Sequence, residues 1–113
     1  TEALTVIDVN SGKMIAGKDM EKTYLNINLE AAKEIARQLS LRNISGIIIV
    51  DFISMRPEEH NQKLMSVFGN LLKKDPVRTK LIDITPLGLV EITRMKTSKP
   101  LWEQFDIREQ SEK

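Results

Sequence analysis

The stretch Gly46-Ile47-Ile48-Ile49-Val50-Asp51-Phe52 decides the fold class. Its β-branched apolar residues follow one another without polar alternation. That pattern reads as a short strand buried on both faces, as in a parallel or mixed sheet covered by helices. The segments on either side of it carry helical periodicity. Upstream, Leu29, Ala32, Ile35, Ala36 and Leu39 recur at three- and four-residue spacing, with Asn28 expected as the N-cap and Asn43 to Gly46 as the stop. Downstream, Pro57 suits a first helical turn, and Glu58 and Glu59 favour the N-terminal end of the helix dipole. Leu64, Val67, Phe68, Leu71 and Leu72 form the apolar stripe of that helix, and Asp75-Pro76 ends it.

Farther out, Ala3 to Val9 predicts a strand that closes at the turn signature Asn10-Ser11-Gly12-Lys13. Met14 to Gly17 is expected to return as the second strand of a hairpin, and polar Lys18 to Thr23 to form a loop. Leu81 to Ile84 predicts another short strand. Thr85-Pro86 is expected to open a helix running through Leu89, Ile92 and Thr93. The order strand, strand, helix, strand, helix, strand, helix predicts an α/β fold, a mixed sheet with flanking helices. From Lys96 to Lys113 the chain is polar apart from Leu101-Trp102 and Phe105, which suggests a divergent tail with a short terminal helix or partial disorder.

Composition narrows the function classes. The chain has 113 residues, room for one core that removes about two-thirds of the unfolded surface from water. Lys plus Arg number 17 and Asp plus Glu 16, a formal net charge of +1, which argues against nucleic-acid binding by bulk charge alone. Zero cysteines exclude disulfides, thiol catalysis and cysteine-ligated zinc within these residues. The longest apolar run falls far short of the ~20 residues of a bilayer span, and the chain opens on a strand rather than on a leader. A soluble, cytoplasmic domain is the expectation.

Two acids stand where apolar strands should not have them. Asp8 lies near the end of the first strand, and Asp51 closes the most hydrophobic one. A carboxylate at such a position is costly unless it is paired, hydrogen-bonded or metal-bound. If the two strands are parallel neighbours, both acids emerge at the carboxyl edge of the sheet, where open α/β sheets bind ligands. Their mutual repulsion would be relieved by a divalent cation, and oxygen ligands select a hard ion such as Mg²⁺ or Mn²⁺. Asn10 is placed to assist through its amide oxygen. Alternatively, Asp8 caps the Asn10–Gly12 turn while Asp51 caps the second helix or pairs with a basic side chain. Asp83 is a weaker acid of the same kind and is taken as structural.

Other chemistries have less support. His60 is the single histidine, set among polar residues in the first turns of an amphipathic helix, so two-histidine cleavage of RNA is excluded within these residues. A nucleophile elbow and a glycine-rich phosphate loop are both missing. Basic residues gather late, at Lys73, Lys74, Arg78 and Lys80, then Arg94, Lys96 and Lys99. They suggest either a phosphate track or, for Lys73 and Lys74, cations at a helix C-terminus. Arg78, beyond the helix stop, is the stronger candidate for the phosphate track.

Four blocks together resemble the ribonuclease E/G family: TVIDVNSG at 5–12, NLEAAKEIARQL at 28–39, RNISGIIIVDFI at 42–53, and GLVEITR at 88–94. Their order and spacing cover about residues 1–95 and resemble the deoxyribonuclease I-like catalytic subdomain of those enzymes. The resemblance implies that Asp8 and Asp51 hold a catalytic Mg²⁺, that Asn10 supports the site by hydrogen bonding, and that Arg78 belongs to a pocket sensing the RNA 5′ end. Ser54 departs from the family, in which many members carry a second aspartate at that position. The Cys-x-x-Cys zinc link that joins protomers in full-length family members has no counterpart here.

The resemblance implies a Mg²⁺-dependent endoribonuclease subdomain acting on single-stranded RNA, in RNA processing and decay, leaving 5′-phosphate and 3′-hydroxyl ends. Zn²⁺ and a homo-oligomer would belong to the full-length enzyme, together with its other domains. By itself the 113-residue chain is expected to be inactive. The rival expectation is a non-catalytic scaffold domain that packs RNA-binding modules and uses its acids only to cap turns.

Overall fold

A computed structural model describes residues 3–9, 20–85 and 88–95. The elements run β1 (Leu4–Asp8), α1 (Met20–Leu41), β2 (Gly46–Asp51), α2 (Glu58–Lys73), β3 (Thr79–Ile84) and β4 (Leu89–Arg94). The four strands form one mixed sheet in the order β1-β2-β4-β3. β1 runs parallel to β2, while β4 is antiparallel to both β2 and β3. The α/β class and the mixed sheet are as the sequence predicts. The Met14–Gly17 strand, the tail from Lys96 with Trp102 and Phe105, and Asn10 lie outside the described residues.

Three local expectations are corrected. Helix α1 begins at Met20, so Met20 to Thr23 is helical rather than loop; Lys18 and Asp19 lie outside the described residues. Asn28 is therefore no cap; it sits inside the helix on its buried stripe with Ala32, Ile35 and Leu39. The segment after Thr85 is strand β4, whose residues alternate between half-buried and buried. Val90, Ile92 and Arg94 point to the core, and sheet pairing on both sides outweighs the helix-opening signal of Thr85-Pro86. Third, β2 is fully buried on one face only. Ile48 and Val50 are inaccessible, while Ile47 and Ile49 on the other face are half-buried.

One core explains that asymmetry. Ala32, Ile35 and Leu39 of α1 and Leu64, Phe68 and Leu72 of α2 join Ile48, Val50, Val90 and Ile92 in a single cluster. Phe52 meets Phe68 edge-on at 5.5 Å between ring centroids, a geometry that adds to the area both rings bury. On the opposite face Leu4 and Val6 are each 65% exposed.

The end of α1 and the start of α2 follow their sequence. Asn43 takes φ 51°, with Ile44 N–H donating to Leu39 O and Asn43 N–H to Ser40 O. This is a Schellman closure with asparagine in the left-handed position. Three residues later Gly46 has φ 93°, and a side chain there would run into the Ala3 carbonyl oxygen, so β1 and β2 can approach only because this position is glycine. At the start of α2, Pro57 is the cap residue and its carbonyl receives the His60 and Asn61 amides.

Candidate active site

The parallel pairing of β1 and β2 puts Leu4 opposite Ile47, Val6 opposite Ile49 and Asp8 opposite Asp51. The two acids therefore occupy one register position at the carboxyl ends of adjacent strands, whose axes lie about 4.8 Å apart. The Val9 amide donates to Asp51 O at 3.0 Å and continues the ladder one residue past the pair. Both side chains fall on the face away from the helices, because the core-facing positions of β2 are Ile48 and Val50. Asp8 is exposed and Asp51 half-buried. The cap of α2 is Pro57, so Asp51 does not occupy that role.

The donor set suits a hard cation. Among the described residues no group of three or more His, Asp or Glu gathers at one point. Two carboxylates on adjacent strands then offer a partial oxygen shell, leaving positions for water and phosphate, which is how Mg²⁺ is commonly bound.

A neighbouring element holds the chain beyond Asp51 in place through Asn28, expected from the sequence as a helix cap. Asn28 is fully buried, its Nδ2 donates to Ile53 O at 2.9 Å, and its Oδ1 accepts from Ile53 N–H at 3.0 Å. The side-chain amide thus takes both backbone groups of a residue that has left the sheet and, among the described residues, has no strand partner. The signal for it was present: Asn28, Ala32, Ile35 and Leu39 share one helical stripe, and a polar residue on a buried stripe needs a specific partner.

A cavity of about 310 Å³ opens at the same sheet edge, lined by Ser54, Met55, Glu58, Asn61, Ile84, Thr85 and Gly88. Gly88 has φ 87° and precedes Leu89, which pairs with Asp51. A somewhat larger groove of about 390 Å³ lies at the C-terminal ends of the two helices, beside Lys33, Arg37, Lys74 and Asp75, remote from the acid pair.

The remaining candidates are dispersed. Arg78 is exposed and adjoins Thr79, which pairs with Arg94 and through it with Gly46 at the opposite end of the sheet. Five rises of about 3.3 Å along β2 put that end about 17 Å from Asp51. Lys73 and Lys74 are exposed at the end of α2. Arg94 leaves the basic cluster altogether: it is 1% exposed and bonded through Nε to Asp75 Oδ2 at 2.7 Å. Its guanidinium also reaches Asp75 Oδ1 at 3.2 Å, Asn43 Oδ1 at 2.9 Å and Ile44 O at 2.9 Å. Burial alone would raise the Asp75 carboxyl, but the Arg94 hydrogen bonds, the Val77 amide and Thr79 together hold it below the usual carboxylate range. Asp83 Oδ1 accepts the Ile84 amide at 2.7 Å, a local structural role. His60 is half-buried in the first turn of α2.

Comparison with known proteins bears on this arrangement. The model of the ribonuclease E/G family matches residues 1–97. The chain is 45% identical over 97 residues to ribonuclease G of Salmonella typhimurium (strain SL1344), covering 86% of this chain and 20% of that protein. It is 49% identical over 105 residues to ribonuclease E of Synechocystis sp. (strain PCC 6803), covering 93% of this chain and 16% of that protein. Against ribonuclease G of Escherichia coli (strain K12) the identity is 43% over 101 residues, covering 89% of this chain and 21% of that protein. The chain thus spans about a fifth or less of the length of these relatives.

Proposed function

We propose, from the premise that this chain belongs to the ribonuclease E/G family, that it is the cation-holding part of a metal-dependent endoribonuclease. The observation that carries this reading is the register of Asp8 with Asp51, which gathers two like charges at the carboxyl edge of a parallel strand pair. Such a pair is unfavourable on its own and becomes favourable around a divalent cation. Asp8 and Asp51 would hold Mg²⁺, or Mn²⁺ in its place. When bound, the cation supplies Lewis-acid polarisation of a phosphodiester and activation of a water.

The chain's own residues do the rest. β1 and β2 fix the spacing of the two carboxylates through their ladder, and Asn28 fixes the backbone that leaves Asp51. Asn10, two residues beyond Asp8, would orient a ligand or the water. Arg78, at the other end of the sheet, would serve a separate contact with the RNA, which suits recognition of a 5′ end rather than the scissile phosphate. Single-stranded RNA is the proposed substrate and cytoplasmic RNA processing the proposed setting. Among the described residues no helix is long and apolar enough to cross a membrane. A zinc link, a homo-oligomer and the other domains of the parent enzyme would lie outside this cysteine-free chain. The chain alone would then have little activity.

Mg²⁺ titration of the chain, followed by amide NMR, tests the reading. Shifts confined to the neighbourhood of Asp8 and Asp51, and abolished in Asp51→Asn, support it. Their absence at millimolar Mg²⁺ and Mn²⁺ alike, together with full cleavage by the Asp51→Asn parent enzyme, would leave a scaffold domain.

A further inference from the structure

We infer that the segment from Leu101 to Phe105, which follows β4 in the chain, docks in the groove at the C-terminal ends of α1 and α2. The groove has a volume of about 390 Å³, with Ala36, Leu41 and Leu71 as its apolar surface. Leu41 is 68% exposed at its edge, so apolar area remains there to be removed from water. β4 delivers the chain to this place. Arg94, the last residue of the strand, is bonded to Asp75, which lines the groove. The Met95 amide donates to Arg78 O at 3.0 Å and fixes the exit. From Met95 to Trp102 the chain spans up to ~25 Å when extended, more than enough to reach a groove that begins beside Arg94.

The segment lies past the four family blocks and supplies what the groove lacks. Pro100 suits a first helical turn, and in a helix Leu101, Trp102 and Phe105 share one face. Between Leu101 and Glu112 stand Glu103, Asp106, Glu109 and Glu112 against a single basic residue, Arg108. The rim of the groove has the opposite sign, with Lys33, Arg37 and Lys74. Lys33 and Arg37 meet Glu30 and Glu34 in exposed pairs, which contribute little and exchange readily. Asp75, the acid of the lining, is already paired with Arg94. A tryptophan seated beneath these cations also gains a cation–π contact. The open face of the sheet offers apolar surface too, at Leu4 and Val6. That face carries Asp8, Asp51 and Glu91, however, and repels an acidic segment. Charge therefore directs the segment to the helix side and leaves the acid-bearing face clear.

Trp102 is the single tryptophan of the chain and reports its own position. In the 113-residue chain, acrylamide should quench its fluorescence several-fold less than that of a peptide of residues 96–113, with blue-shifted emission. Leu41→Asp, at an exposed position, should bring quenching up to the level of the peptide while keeping the far-UV circular dichroism of wild type. Lys74→Glu should restore part of the quenching, more at low salt than at high salt. Val6→Asp, on the open face, should change nothing. In amide NMR spectra, Trp102→Ala should shift the signals of Ala36, Leu41 and Leu71. A Trp102 as accessible as in the peptide would overturn the seat, as would protection that survives Leu41→Asp but is lost in Val6→Asp. Protection that fades on dilution would also overturn it, and would give the groove to the tail of a second copy.

Discussion

The two ends of the sheet hold carboxylates in opposite circumstances. At the entry end of β2, Asp75 is buried with Arg94, and Asn43 and Ile44 O take the rest of the guanidinium. At the exit end, Asp8 and Asp51 face each other across adjacent strands on the face the helices leave open. The first acid is surrounded by donors and belongs to the framework; the second pair sets like against like and, on the proposed function, would belong to a ligand. Partner sign and burial, rather than the mere presence of an acid beside a strand, separate a structural carboxylate from a functional one.

Several substitutions can break or sharpen that contrast. The largest effect is expected at the open end: Asp8→Asn or Asp51→Asn in the full-length enzyme should lower Mg²⁺-dependent cleavage on the order of 10³-fold in single-turnover assays. Retained cleavage in both would erase the distinction. At the closed end, Arg94→Met should destabilise the chain by about 3–5 kcal/mol in urea unfolding, because it strands a buried carboxylate. Asn28→Leu comes next, at about 2–3 kcal/mol, since it orphans the amide and carbonyl of Ile53. In the parent enzyme the same change should reduce kcat more than it raises KM.

Acid separates the ends further. The Asp75 carboxyl is depressed in the folded state, so its stabilisation is present above the ordinary aspartate value of about 4 and is lost as pH falls through its lower folded value. Unfolding curves from pH 7 downward should show wild type and Asp75→Asn converging below pH about 4. The smallest effect has the opposite sign. In EDTA, Asp51→Asn should leave stability unchanged or raise it by up to about 1 kcal/mol, because it removes a like charge directly across the strand pair. A clear loss of stability would move Asp51 to the structural class.

Much of this was legible in the chain. The apolar run at β2, the stripe of α2 and the misplaced acids Asp8 and Asp51 are strong local signals, and the α/β class follows from their order. The acids' meeting depended on strand direction, which no local pattern encodes. Elsewhere tertiary context prevailed. The first turn of α1, from Met20 to Thr23, contains no fully buried residue, so its polar composition resembled a loop. β4 was disguised by an arginine where an apolar residue belongs, and only the distant Asp75 explains why Arg94 can be buried. Thr85-Pro86 suggested a helix start, but adjacent strands claimed the backbone groups that follow. Asn28 was taken for a boundary because asparagine commonly caps helices, whereas its partner lies 25 residues away.

The close fit of Gly46 beneath the Ala3 carbonyl has a consequence for how such a site tolerates change. Side chains alternate faces along a strand, so the alignment of β1 on β2 acts as an all-or-none code. A single-residue insertion between Ala3 and Asp8 would not weaken the acid pair by degrees. It would turn Asp8 toward the helices, bring Ile7 opposite Asp51, and exchange a two-carboxylate site for a lone acid and a buried charge. The acid pair is therefore expected to tolerate substitution at the exposed Leu4 and Val6 but not a change in the length of the strand.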